Sequence, residues 1–196
     1  MANKSTSVND VIQHHSSQRE WESWLQSHHE TSQGVWLRIA KKGADQASVS
    51  YAEALETALC FGWIDGQKKA LDEHYWLQRF TPRRPRSIWS KVNCLKAQAL
   101  VEQGRMQPAG LKEIALAKED GRWANAYDSA RTMTMPEDLA IALDAEPAAA
   151  AFFATLDSAN RYAVLWRVQT AKKAETRAKR IRQYVEMLAR KEKIHS

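Results

Sequence analysis

Residues 61–93 read FGWIDGQKKALDEHYWLQRFTPRRPRSIWSKVN. Tyr75 to Phe80 alternates in the manner of a strand, and Trp63-Ile64-Asp65-Gly66 begins another. The pair predicts a hairpin across Leu71-Asp72-Glu73. Pro82 and Pro85 end the second strand, because proline offers no amide to a ladder. Ser87 is then a candidate N-cap for a helix beginning Ile88-Trp89-Ser90-Lys91, with Ser90 the alternative cap. Beyond this point the sequence reads helical to its end, so the stretch marks the change from sheet to helix.

The same stretch interleaves apolar bulk with positive charge. It holds three of the eight tryptophans, Trp63, Trp76 and Trp89, and the cations Lys68, Lys69, Arg79, Arg83, Arg84, Arg86 and Lys91. Only Asp65, Asp72 and Glu73 oppose them. Three arginines just before a helix N-terminus meet a macrodipole that is already positive, which disfavours each by roughly 0.3–1 kcal/mol. A carboxylate from elsewhere in the fold, with Asp65 the candidate, or an anionic ligand on the free amides would compensate. The candidate anion site is therefore Asp65, Arg79, Arg83, Arg84, Arg86, Ser87, Trp89, Ser90 and Asn93. Trp63 and Trp89 would wall it, and Asp65 would fix an arginine.

Upstream, Ser17-Gln18-Arg19-Glu20 is a capping-box pattern, and Trp21, Trp24, Leu25 and His28 follow on one face of a helix stopped by Gly34. Residues 35–41 alternate as a strand. Ser50-Tyr51-Ala52-Glu53 is a second capping box, opening a helix that Gly62 ends. Strands are expected near 35–41, 63–69 and 74–80. Residues 1–15 read as a disordered lead-in. The histidine pairs 14–15 and 28–29 do not suggest a metal site, since adjacent histidines point to different faces of a helix and no carboxylate completes a set.

Downstream, a helix over 88–103 stops at Gly104, and Pro108 opens another that runs to Gly121. Met133 to Pro136 reads as a linker into a second helical unit. Ser158 caps a long periodic run in which Ala174, Ala178, Ile181, Val185 and Leu188 form the inward stripe, with Lys172, Lys173, Arg177, Lys179, Arg180 and Arg182 on the other faces. The fold class is α+β, a small antiparallel sheet with packed helices followed by an all-helical C-terminal module. The domains are 16–132 and 133–196.

With 44% hydrophobic and 27% charged residues, the 196-residue chain has the composition of a globular protein able to bury a core without staples. Its +6 charge is uneven: −3 over 1–67, +6 over 68–105, −5 over 106–160 and +8 over 161–196. The two basic blocks bind an acidic partner or face the acidic middle. Cys60 and Cys94 lack metal-ligand spacing and fit free thiols in a reducing compartment. Residues 1–15 contain no apolar signal core, and no apolar run is long enough to span a bilayer, so the expected location is cytoplasmic, without membrane insertion. No phosphate loop, nucleophile elbow or HExxH pair occurs, and no cofactor or catalytic residue is assigned.

Several segments resemble the bacterial YdeI/OmpD-associated family: Ser50-Tyr51-Ala52-Glu53-Ala54-Leu55, Cys60-Phe61-Gly62-Trp63-Ile64-Asp65-Gly66, Arg79-Phe80-Thr81-Pro82-Arg83-Arg84, Ser87-Ile88-Trp89-Ser90, Gly104-Arg105-Met106-Gln107-Pro108-Ala109-Gly110, and the run Ala171 to Ile181. The resemblance spans about residues 20–190. It implies an α+β N-terminal domain with a helical module, and a bacteriocin-protection type of function associated with tolerance of cationic antimicrobial peptides. It brings no catalytic residues or cofactor. The resulting expectation is a non-enzymatic stress-tolerance protein whose basic–aromatic surface binds a small anion or phosphate-bearing ligand. Alternatives are nucleic-acid binding through blocks 68–105 and 161–196, or an enzyme acting on a small anionic substrate with Asp65 as base. Ligand identity and oligomeric state stay open.

Overall fold

The computed structural model describes residues 11–195, and the expected α+β architecture is what it shows. The described elements, in order, are β1 (Ile12–Gln13), α1 (Gln18–His28), β2 (Val35–Ala40), α2 (Tyr51–Cys60), β3 (Trp63–Ala70), β4 (Tyr75–Pro82), α3 (Lys91–Glu102), α4 (Pro108–Glu119), α5 (Glu137–Asp144), α6 (Pro147–Thr155), α7 (Ser158–Gln169) and α8 (Ala174–Ala189). They fall into two compact units. One comprises the chain through Ser87 with Asn93–Ala124, the other Ile88–Val92 with Asn125–Ser196.

In the first unit the sheet order is β1-β2-β4-β3, with β1 parallel to β2 and the remaining pairs antiparallel. The three expected strands are present. β1 departs from the expected lead-in: Ile12 pairs with Trp36, and His15 is buried beside Trp21 and Trp24. Residues 1–10 of that lead-in lie outside the described residues.

Strand alternation gives the sheet an inner face with Val35, Leu37, Ile39 and Phe80, and α1 and α2 cover it. Trp21 fills the layer between, its ring 5.7 Å from Phe80 and 6.4 Å from Trp63 and its Nε1 donating to the Ala54 carbonyl. Both caps form, but only Ser50–Glu53 closes the reciprocal box. Glu20 reaches one residue too far, accepting from the amide and hydroxyl of Ser16.

The second unit packs α5 to α8 around Leu139, Phe153, Val164, Val168, Ile181, Tyr184 and Leu188. The expected continuous helix from Ser158 is two helices. Asp157, not Ser158, caps α7, and the chain breaks over 170–173. Two arginines of α8 stabilise the break by serving the last carbonyls of α7: Arg177 Nη1 donates to Val168 and Arg180 Nη1 to Arg167. All five residues of the expected stripe lie on one face of the unbroken α8, but only the later part of that face is covered. Ile181, Tyr184 and Leu188 are buried and Val185 half-buried, whereas Ala174 and Ala178, expected inside, are exposed.

The expected linker at 133–136 is not where the second unit starts. Ser90 forms a parallel bridge with Tyr127, Tyr127 N donates to the Trp89 carbonyl at 3.0 Å, and Lys91 N donates to the Tyr127 carbonyl at 2.9 Å. Lys91 Nζ adds a 2.7 Å ion pair to Asp128, whose other oxygen accepts from Gln169 at 2.6 Å.

Candidate functional site

A concavity of the first unit forms where three chain segments meet. α2 ends at Cys60, and Gly62 turns the chain at φ +73°, a conformation that favours glycine. The Gly62 carbonyl accepts from Arg83 N at 3.0 Å, which fixes the exit of β4 beside it. The Cys60 carbonyl accepts from Gln107 N at 3.1 Å, which fixes the entry to α4. Gly110 completes the junction: a Cβ there would lie 2.4 Å from the Cys60 carbonyl and 2.8 Å from that of Leu59. The segments Cys60–Gly66, Arg79–Arg84 and Gly104–Gly110, separate in sequence, thus converge.

The resulting cleft has a volume of about 670 Å³. Phe61, Trp63 and Pro82 supply its apolar wall, Arg83 and Lys112 its cations, and Glu30 and Glu113 its carboxylates. Arg83 is only 6% exposed, while Lys112 is exposed. The His29 ring is oriented by Nδ1, 2.9 Å from the Leu25 carbonyl. A carbonyl can only accept, so Nδ1 carries the proton and Nε2, 3.8 Å from Glu30 Oε1, is left with the lone pair in the neutral ring. Trp63 Nε1 donates to the His29 carbonyl at 3.2 Å and holds wall and rim together. The Cys60 thiol at the end of α2 is pushed up to about 11 by burial, the opposite of what a nucleophile needs.

The expected site residues are dispersed. Arg83 lines the cleft. Asp65, expected to hold an arginine, instead accepts from the Tyr51 hydroxyl at 2.8 Å. Arg79 points to the other face of the sheet, 5.8 Å from the Trp36 ring centroid. Arg84 and Arg86 are exposed in a turn that closes on itself: Arg84 N donates to Ser87 Oγ at 3.0 Å and Ser87 N to the Arg84 carbonyl at 2.9 Å. Arg86 sits in that turn at φ +76°.

The expected helix over 88–91 does not form until Lys91, because Trp89 and Ser90 pair with Tyr127. The Lys91 amide, one of those after Ser87 expected to hold an anion, therefore already has an acceptor. Trp89, 2% exposed, and Ser90 belong to the second unit, and Asn93 is half-buried on α3 in the first. Sequence reasoning missed His29, Lys112 and Glu113. Their signal was the Pro108-Ala109-Gly110 segment, whose glycine has to touch another backbone for the cleft to exist.

In the second unit much of the basic block is internal. Arg177 and Arg180 serve carbonyls of α7. Arg177 also grips Asp138 through two bonds, of 2.5 and 2.8 Å, holding that carboxyl below its usual range. Lys172, Lys173, Lys179 and Arg182 stay exposed.

Residues 13–113 match the family described as a domain of unknown function (DUF8412). Residues 132–191 match the family described as Bacteriocin-protection, YdeI or OmpD-Associated. The YdeI/OmpD resemblance expected over about 20–190 is thus matched in the helical unit, while the motifs of the cleft fall in the other family. No curated protein and no solved structure matches the chain.

Proposed function

We propose that this chain, which belongs to the family of that domain of unknown function and carries a YdeI/OmpD-associated segment at 132–191, is an anion-binding protein of the bacteriocin-protection type. The observation that carries the reading is a guanidinium, Arg83, more than nine-tenths buried in the wall of a cleft large enough for a small molecule. Lys112 adds a mobile cation at the rim, and Phe61 and Trp63 supply a low-dielectric wall that strengthens a charge-assisted contact. Glu30 and Glu113 narrow the ligand to one that presents donors beside its anionic group, as a phosphorylated or carboxylated small molecule with hydroxyl or amino groups does.

An enzyme using Asp65 as base finds less support, since Asp65 is bonded to Tyr51 and is not among the residues lining the cleft. A cytoplasmic location is part of the same proposal, supported by two cysteines that are both free and buried. No helix of the described residues is long and apolar enough to cross a membrane.

Inorganic phosphate is the first probe. At millimolar concentration, compared with chloride of equal ionic strength, it raises the melting temperature of the native chain by mass action. Lys112→Glu shrinks that gain, and Lys172→Glu, on the second unit, leaves it intact. Equal gains in all three proteins would remove the cleft from the proposal.

A further inference from the structure

A groove between α3 and α4 lies within the first unit and shares no lining residue with the cleft. Its volume is about 300 Å³. Gln98, Val101 and Glu102 form its α3 wall and Ile114 and Lys118 its α4 wall, with Trp123 completing the lining. Helical spacing extends both walls. Leu95 precedes Gln98 by one turn and Glu102 by two, and Leu111 precedes Ile114 and Lys118 in the same way, so each leucine shares its wall's face.

This surface is apolar where a solvated helix pair is ordinarily polar. Leu95 is 69% exposed, Leu111 45% and Val101 42%, and Leu95 is the most exposed large apolar side chain among the described residues. Apolar side chains clustered in the open mark an interaction surface, whereas single ones do not. The charged lining groups are one carboxylate and one ammonium. Glu102 is exposed and accepts from the Gln98 side chain at 3.4 Å, and Lys118, also exposed, holds Nζ 5.4 Å from the Trp123 ring centroid. A long exposed hydrogen bond and a distant cation–π contact are both weak, so each charge is available to a stronger partner.

We propose that the groove is the contact surface of a homodimer, its occupant being a second copy of this chain. Charge complementarity carries the choice. A two-fold axis that lies in the interface and bisects the line from Glu102 to Lys118 sets the carboxylate of each copy on the ammonium of the other. The same rotation lays the apolar walls against one another, so one surface supplies both halves of the match. A partner recruited by charge would meet a groove of one sign, and the lining charges of this one cancel. The face is built from two helices of 12 residues each, at the small end of specific interfaces, so the dimer is weak and reversible.

The test is sedimentation velocity of the full chain over about 5–500 µM, a range suited to a small, transient interface. A monomer–dimer equilibrium that moves with concentration is expected. Leu95→Glu, at an exposed position, leaves a monomer throughout. Glu102→Lys and Lys118→Glu each weaken the dimer about tenfold, because each homodimer then sets like charges together twice. An equimolar mixture of these two variants restores it, since both contacts of the mixed pair again join opposite charges. A chain that stays monomeric at the highest concentration overturns the proposal, and a melting temperature lowered by Leu95→Glu would then assign the groove an intramolecular cover. Dimers that persist in Leu95→Glu overturn it by placing the contact elsewhere, and assemblies larger than a dimer overturn it in favour of a head-to-tail contact. A mixture no better associated than its two components overturns the two-fold pairing on which the choice of occupant stands.

Discussion

Gly110 lies inside α4, where a change to alanine ordinarily gains about 1 kcal/mol of helix propensity. Here the added methyl would collide with two carbonyls of α2, so Gly110→Ala should instead destabilise the first unit by roughly 1–3 kcal/mol. Chemical denaturation measures it, and a stabilised variant would mean that α4 does not rest on α2. His15 gives a second expectation. Burial, the largest cause, holds its imidazole below the ordinary 6.5, and desolvation and Arg38 do the same for His14. The folded state therefore binds fewer protons than the unfolded state once pH drops below about 6.5, so stability is complete above that pH and declines below it. Melting temperatures recorded from pH 7.5 to 5 should fall, and His15→Phe should flatten the fall. Neither residue's role was legible in the sequence, since a buried histidine and an exposed one are spelled alike.

Periodicity located the helices and the inward face of α8, and missed how far along that face the core extends. Ala174 and Ala178 share a face of α8 with Ile181 and Leu188, but they lie in its first two turns, where that face is exposed. Ile181→Asp should accordingly cost several kcal/mol by burying an unpaired charge, while Ala178→Asp, four residues from the first helical position of α8, stays within about 0.5 kcal/mol. Urea midpoints of the two variants decide it, and equal midpoints would mean that the core reaches the first turns of α8. The hairpin, by contrast, was legible because alternation and the bounding prolines agree. Its edge strand β3 is also protected in the usual ways, with a bulge between Asp65 and Lys68 and two exposed lysines beyond it.

At the scale of the molecule, the sequence revealed the fold class, while its division at 133 differs from the compact units of the structure. A linker is sought where composition loosens, at Met133 to Pro136, but the second unit takes Ile88–Val92 from within the basic stretch and resumes at Asn125. No local pattern reports that Trp89 pairs with Tyr127, because that bond depends on two segments far apart in the chain. Trp89→Ala should remove a side chain only 2% exposed and destabilise the second unit by about 3–5 kcal/mol. Hydrogen exchange reads this as lost protection of the amides of α5 to α8, and unchanged protection there would place Trp89 outside that core.

The borrowed segment also imposes an order on synthesis. Ile88–Val92 leave the ribosome before the rest of their unit exists: Tyr127 follows Trp89 by 38 residues and Leu188 by 99. At about 5–20 residues per second, the indole waits roughly 2–8 s for its first backbone partner and about 5–20 s for a complete core. During that interval the nascent chain presents a tryptophan next to Arg83, Arg84 and Arg86, a combination suited to holdase chaperones, and translation speed across residues 90–190 becomes a determinant of yield.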